Sequence, residues 1–149
     1  MILLWAFIVV LLDQITKFFI ENGWQLFESR AVIENVFHLT LVKNTGAAFG
    51  ILQDKSWIFI IVTLLLFVFI FYFRHLFPQK TWWHKVALGF LIGGALGNFI
   101  DRVFRGYVID FLDFQFWPVF NVADAAITVA IILYFYQLFL DWRAERYER

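Results

Sequence analysis

The sequence contains no cysteine, only three histidines and only two serines, Ser29 and Ser56, among its 149 residues. The absence of cysteine excludes disulfide bonds and any thiol nucleophile. Neither serine lies in a Gly-x-Ser-x-Gly motif, and the histidines form no His-Glu-x-x-His pair. Serine, cysteine and zinc chemistry is therefore a poor fit to this chain, and carboxylates and amides remain as the candidate reactive groups.

Charged residues are also scarce, at 16% of the chain, whereas hydrophobic residues make up 62%. This leaves too little polar surface to cover a soluble globule of this length, so the composition predicts a membrane protein. We expect a membrane all-α fold in which residues 1–149 form a single integral membrane domain without a second, soluble one. Four apolar runs predict its transmembrane helices, at about residues 2–20, 57–73, 84–102 and 122–140.

Four crossings would place both termini on the same side of the membrane. The first run lacks a basic leading region and an Ala-x-Ala site, so we expect it to be retained as a span rather than cleaved as a signal. The loop after the second run and the C-terminal tail both carry basic residues, which favours a cytoplasmic location under the positive-inside rule. These residues are Arg74, Lys80, Lys85, Arg143, Arg146 and Arg149.

The two segments on the opposite side cover about residues 21–56 and 103–120. Within the first, NVFHLTLVKNTG alternates apolar and polar residues and ends in a turn signal, so it predicts short strands of a small extracytoplasmic β element. The second places aromatic residues three or four positions apart, which favours a helical turn with an aromatic stripe at the membrane interface. This interfacial aromatic segment contains Phe104, Tyr107, Phe111, Phe114 and Trp117.

Several polar residues fall within the apolar runs, where an ionisable side chain costs about 2.5 kcal/mol or more at a helix centre. Asp13 and Lys17 are four residues apart and can pair along one helix face, and a self-neutralising pair of this kind needs no function. Asn98, Asp101 and Arg102 share one face at the end of the third run, where they could simply complete a helix C-terminus.

The stretch FNVAD places Asn121 and Asp124 at the head of the fourth run. An asparagine followed three residues later by an aspartate is typical of a helix N-cap, so capping alone could explain both residues. Seven polar residues, however, map to the same leaflet, and one shared site explains them better than seven separate capping roles. They are Asn44, Asn98, Asp101, Arg102, Asp110, Asn121 and Asp124.

Two neighbouring carboxylates have a known chemistry. They share a proton, so that one acts as a base on water while the other donates a hydrogen bond to the scissile carbonyl and later helps the amine to leave. The residues alone leave open which carboxylate would pair with Asp124, because Asp110, Asp113 and Asp101 all fall in the same region.

Five motifs occur in order along the chain: DQITK at 13–17, NTGAAFG at 44–50, GNFIDR at 97–102, VIDF at 108–111 and FNVAD at 120–124. Together they resemble the motif set of signal peptidase II, the lipoprotein signal peptidases of bacteria, over nearly the whole chain. One such motif is a weak signal, but five in order are highly specific. The polar positions show no departure from the family's pattern.

The resemblance implies an intramembrane aspartyl endopeptidase that removes the signal peptide of a prolipoprotein, cutting before a cysteine that carries diacylglycerol. It implies Asp110 and Asp124 as the catalytic pair. It also implies contact with membrane lipid and inhibition by globomycin, a cyclic peptide antibiotic, whereas no metal, cofactor or nucleic acid is expected. The other positions implied to bind substrate or support the pair are Asn44, Asn98, Arg102, Asn121, Asp13, Lys17 and Asp101.

The resemblance further implies a multi-pass protein of the bacterial cytoplasmic membrane, with both termini cytoplasmic and the active site toward the outer face. Two other functions remain open on the residues alone. A small transporter or proton-conducting protein would distribute polar residues across the membrane depth, whereas here they collect at one level. A purely structural membrane subunit would tolerate replacement of Asp110 and Asp124 by asparagine.

Overall fold

The computed structural model describes residues 1–46, 51–73, 75 and 81–147. Three of the basic residues used to predict the topology, Arg74, Lys80 and Arg149, lie outside the described residues, as do positions 47–50 of the motif NTGAAFG. Within the described part, the chain forms four α-helices and three β-strands. In chain order these are α1 (Ile2–Gly23), β1 (Ser29–Ile33), β2 (Phe37–Asn44), α2 (Ser56–Tyr72), α3 (Trp82–Phe104), β3 (Val108–Asp113) and α4 (Val122–Tyr147).

Apolar helices make up most of the structure. Among the described residues, three are long and apolar enough to cross a membrane, namely α1, α3 and the part of α4 from Val122 to Arg143. Helix α2 is apolar as well, but it is shorter, with 17 residues. These helices and the small sheet confirm the predicted class of a mostly helical membrane protein with a β element.

Helix α3 packs against both α1 and α4, and glycine residues allow the backbones to approach closely. The glycine at every fourth position from Gly89 to Gly97 predicts such an approach. A Cβ atom on Gly93 would lie 2.7 Å from the backbone oxygen of Ala6, and one on Gly97 would lie 2.6 Å from a carboxylate oxygen of Asp13. The prediction is confirmed, and α1 packs directly on the helix that carries the motif GNFIDR.

The three strands form one antiparallel sheet in the order β1-β2-β3. Strand β2 covers most of the alternating motif NVFHLTLVKNTG, and it pairs with β1 through a short turn in which Asn35 has a positive φ of 59°. Asparagine tolerates this left-handed conformation better than most residues. The predicted β element is therefore present.

Strand β3 comes from the segment in which we expected a helical turn, and that expectation is wrong. It pairs along β2, with Asp110 opposite Val42 and Val108 opposite Asn44. The residues Val108–Asp113 include β-branched and aromatic side chains that fit a pleated strand, and β2 supplies hydrogen-bond partners for their backbone. This long-range pairing outweighs the local spacing of the aromatic residues.

The aromatic residues of this segment consequently do not form one stripe. Phe111 is buried in a cluster with Ile20 and Leu41, between the sheet and the end of α1. Phe114 and Trp117 follow the strand and are exposed. Strand β3 therefore packs the sheet against the end of α1, and the loop after β3 remains at the surface.

Candidate active site

A cleft of about 260 Å³ lies where β2, α3, β3 and the start of α4 meet. Apolar side chains form part of its lining, among them Phe59 of α2 and Trp117 of the loop after β3. Five of the polar residues selected from the sequence also line it. They are Asn44, Asn98, Arg102, Asp110 and Asp124.

Asp110 lies on β3 and is 2% exposed. Its Oδ2 atom accepts a hydrogen bond from Nδ2 of Asn44 at 2.9 Å, and its Oδ1 atom accepts one from Nδ2 of Asn121 at 2.6 Å. Burial, followed by the neighbouring charge of Asp124, raises the pKa of Asp110 to about 7. This carboxyl group therefore titrates near neutral pH.

Asp124 lies in the first turn of α4, and its Oδ1 atom accepts a hydrogen bond from Nδ2 of Asn98 at 2.7 Å. The predicted cap is present as a reciprocal pair. Oδ1 of Asn121 accepts the backbone N–H of Asp124 at 2.9 Å, and the backbone N–H of Asn121 donates to Oδ2 of Asp124 at 3.4 Å. Capping does not exhaust the role of Asn121, because its amide also contacts Asp110.

Two amides join the carboxylates into one hydrogen-bond network. Nδ2 of Asn121 lies 3.0 Å from Oδ1 of Asn98 as well as near Asp110, and Asn98 in turn donates to Asp124. Because Asn98 is on α3 and Asn121 precedes α4, the network crosses from the sheet to two helices. Replacing either asparagine would therefore disturb the hydrogen bonding of both carboxylates.

Lys17 lies behind this network with a side chain that is completely buried. Its Nζ atom lies 2.8 Å from Oδ2 of Asp13, 2.8 Å from Oδ2 of Asp101 and 3.1 Å from Oδ1 of Asn98. Three acceptors match the three protons of an ammonium group. The predicted pair of Asp13 and Lys17 is confirmed, and Asp101 makes it a buried triad.

The two acids of the triad also bind backbone groups. Oδ2 of Asp101 accepts the N–H of Ile109 at 3.2 Å, and Oδ1 of Asp13 accepts the N–H of Ala123 at 3.0 Å. Ile109 immediately precedes Asp110 in the chain, and Ala123 immediately precedes Asp124. The triad therefore holds the two backbone segments that carry the carboxylates of the cleft.

Arg102 contacts a backbone carbonyl and an aromatic ring, whereas Lys17 pairs with carboxylates. Its Nη2 atom donates to the backbone oxygen of Gly46 at 3.2 Å, and its guanidinium carbon lies 4.7 Å from the ring centroid of Phe59. Its Nε atom is buried and has no hydrogen-bond partner among the residues that the structure describes. Arg102 therefore lines the cleft and is held there by a backbone carbonyl and an aromatic ring.

The structure separates the three candidate partners of Asp124. Asp101 belongs to the triad with Lys17, and Asp113 accepts a hydrogen bond from Oγ1 of Thr40 at 2.7 Å. Asp110 lines the same cleft as Asp124. Of these three residues, Asp110 is the one that shares the cleft with Asp124, a distinction that the residues alone left open.

Two residues near the site were not selected from the sequence. Nε2 of Gln14 lies 3.1 Å from Oδ2 of Asp13 and 3.1 Å from Oδ1 of Asp101, so it bridges the acids of the triad. Its position inside the motif DQITK was the available signal. Phe59 lies in an apolar helix with no polar pattern, and nothing in the sequence distinguishes it from its neighbours.

Comparison with known proteins gives consistent matches over most of the chain. Residues 5–140 match the family described as signal peptidase (SPase) II. A lipoprotein signal peptidase of Moorella thermoacetica is 46% identical over 139 residues, which cover 93% of this chain and 92% of the relative. A lipoprotein signal peptidase of Bacillus pumilus is 44% identical over 140 residues, covering 91% and 90%.

Solved structures show the same fold. A bacterial membrane enzyme determined by the in meso method at 2.3 Å resolution is 37% identical, with a TM-score of 0.85, over 94% of this chain and 88% of that one. A second, at 1.9 Å resolution, is 38% identical, with a TM-score of 0.83, over 92% and 91%. The similarity therefore extends over nearly the full length in both sequence and structure.

Proposed function

The chain belongs to the signal peptidase II family and is a bacterial membrane protein, and on that premise we propose that it is an aspartyl endopeptidase acting on prolipoproteins. It removes the signal peptide by cutting before a cysteine that carries diacylglycerol. The observation that supports this most directly is the cleft that Asp110 and Asp124 line together, with Asp110 titrating near neutral pH.

The raised pKa of Asp110 supports a division of labour between the two carboxylates. Asp124 takes a proton from a water molecule, whose oxygen adds to the scissile carbonyl carbon, while Asp110 gives its proton to the carbonyl oxygen. The tetrahedral intermediate then collapses as the C–N bond breaks. Asp124 gives its proton to the leaving amine, and Asp110 recovers its own, so both groups return to their starting states.

The surrounding residues have supporting roles in this proposal. Asn44 and Asn121 donate to Asp110, and Asn98 donates to Asp124, so amides fix the orientation of both carboxylates. The buried triad of Lys17, Asp13 and Asp101 fixes the adjoining backbone. Arg102 offers a donor to the bound peptide.

We also infer how the helices, the termini and the cleft lie relative to the membrane. All four helices cross the bacterial cytoplasmic membrane, with the 17 residues of α2 rising about 25 Å and using their flanks to complete the span. Both termini are cytoplasmic and the cleft opens toward the outer face. A substrate with diacylglycerol on its cysteine keeps its acyl chains in the bilayer and presents the cleavage site at this level.

The decisive experiment is cleavage of a diacylglyceryl-modified prolipoprotein by the purified protein in detergent. Asp110→Asn and Asp124→Asn are expected to lower kcat by about 10²–10⁴-fold. Asp113→Asn is the matched control, since Asp113 lies on the same strand but contacts Thr40. Globomycin is expected to inhibit the wild type by occupying the cleft.

Two results would contradict the proposal. One is an inactive wild type on a verified substrate, and the other is full activity in either of the first two variants. A cut at a bond other than the one before the lipidated cysteine would retain the protease but reject the assigned cleavage site.

A further inference from the structure

Helix α2 contributes no side chain to the hydrogen-bond network of Asp110 and Asp124, but it contacts the cleft through Phe59. It packs mainly against α3, and Ile70 is its one buried residue among those the structure describes. Two aromatic contacts connect it to α3. Phe67 packs edge-to-face on Phe99 with ring centroids 6.3 Å apart, and Phe59 packs on the guanidinium of Arg102.

The contact of Phe59 with Arg102 lies at the cleft itself, since both residues line it. A guanidinium carbon 4.7 Å from a ring centroid is within the range of a cation–π interaction. The hydrogen bond to the oxygen of Gly46 is the other anchor of Arg102 in the described part of the chain, and Arg102 forms no ion pair there. One hydrogen bond alone would leave the guanidinium free to turn about its Nη2 atom.

The position of Arg102 matters because its donors serve a ligand only while they are held at the cleft. A guanidinium released from the ring is free to turn about its hydrogen bond to Gly46 and no longer offers its donors at a fixed place. Held against the ring, the guanidinium of Arg102 stays at the cleft that Arg102 lines. A guanidinium carries five N–H donors, so one held at the cleft still has donors to offer to a ligand carbonyl after its bond to Gly46.

We propose that Phe59 is a positioning residue, which together with the carbonyl of Gly46 holds the guanidinium of Arg102 at the cleft so that it donates to a backbone carbonyl of the bound substrate peptide. The inference rests on the proposed function for the identity of the ligand. The placement of Arg102 by Phe59 rests on the geometry alone. Helix α2 thereby contributes to substrate binding through one aromatic ring.

The first test is the kinetics of prolipoprotein cleavage in Phe59→Leu, Phe59→Tyr and Phe67→Leu. Phe59→Leu removes the ring, and we expect KM to rise about five- to thirtyfold with kcat nearly unchanged, because the donor binds ground state and transition state alike. Phe59→Tyr keeps an aromatic ring at this position, so we expect its KM to remain at the wild-type value. Phe67→Leu removes a ring between the same two helices, away from Arg102, and leaves KM unchanged.

The second test does not require activity. Phenylglyoxal modifies accessible guanidinium groups, and peptide mass spectrometry reads the rate at Arg102. We expect faster modification in Phe59→Leu than in the wild type, Phe59→Tyr and Phe67→Leu. Equal rates in all four proteins would overturn the inference, and so would a parallel loss of kcat in both leucine variants. An inactive wild type would refute the proposed function, while the modification rates would still decide whether Phe59 holds Arg102.

Discussion

Oδ1 of Asp13, on α1, accepts the backbone N–H of Ala123, at the start of α4, at a distance of 3.0 Å. A carboxylate from one helix thus completes the N-terminal hydrogen bonding of another, where the helix dipole favours negative charge. The same carboxylate pairs with Lys17 through its other oxygen. The start of α4, and with it Asp124, is therefore fixed by a residue that lies more than a hundred positions earlier in the chain.

Lys17→Met is expected to destabilise the fold strongly. It leaves the buried carboxylates of Asp13 and Asp101 without their shared cation, and breaking a buried ion pair costs about 3–5 kcal/mol. Lys43→Met is the control, because Lys43 pairs with Glu21 at the surface, where such pairs contribute under about 1 kcal/mol. The free energy of unfolding, measured by denaturant titration in detergent, distinguishes the two. Equal losses would contradict a structural role for the triad.

Asp110 is expected to make stability depend on pH. Its pKa is raised to about 7 in the folded state, whereas an aspartate in the unfolded chain titrates near about 4. Between these values the folded state binds the additional proton, so stability falls as pH rises from about 4 to about 7 and stays lower above that. Thermal unfolding between pH 5 and pH 8 should show this decline in the wild type and in Asp113→Asn. Asp110→Asn should show less of it, and an unchanged decline there would refute the assignment.

Gly97→Ala is expected to destabilise the bundle and to reduce activity. The new Cβ atom would lie 2.6 Å from the Asp13 carboxylate, which Lys17 and Ala123 prevent from moving aside. Overpacking of this kind costs about 1–3 kcal/mol. Gly23→Ala serves as the comparison, since a Cβ atom there meets nothing within 4 Å. If both variants melt at the wild-type temperature, the close contact of α1 with α3 is not needed.

Trp117 and Phe111 are expected to respond differently to substitution by serine. Trp117 lines the cleft from an exposed loop, so Trp117→Ser should raise KM several-fold and leave the melting temperature nearly unchanged. Phe111 is 4% exposed in the cluster below the sheet, so Phe111→Ser should lower the melting temperature, with a loss of about 3–5 kcal/mol. Cleavage kinetics and thermal unfolding of the two variants check this. Equal effects of the two substitutions on both quantities would argue against it.

The sequence predicts those features that depend on neighbouring residues. Apolar runs predict the helices, the spacing of Asp13 and Lys17 predicts their ion pair, and FNVAD predicts the cap at the start of α4. Each of these follows from helix geometry over one or two turns. The structure contains all of them.

The features that sequence analysis missed depend on pairing between distant residues. Strand β3 forms because β2 lies beside it, a partner that local aromatic spacing does not reveal. Asp110 lines the cleft with Asp124 whereas Asp101 and Asp113 do not, a difference that arises from the packing of distant elements. Phe59 is one of many apolar residues of α2, and its contact with Arg102 requires the helices to be docked.

Asp110 belongs to a strand and Asp124 to a helix, and each is held by residues from other elements. The two carboxylates can line one cleft only after β3 has paired with β2 and α4 has docked on α3 and α1. An unfolded chain has neither contact, so the cleft that both carboxylates line exists only in the complete tertiary structure.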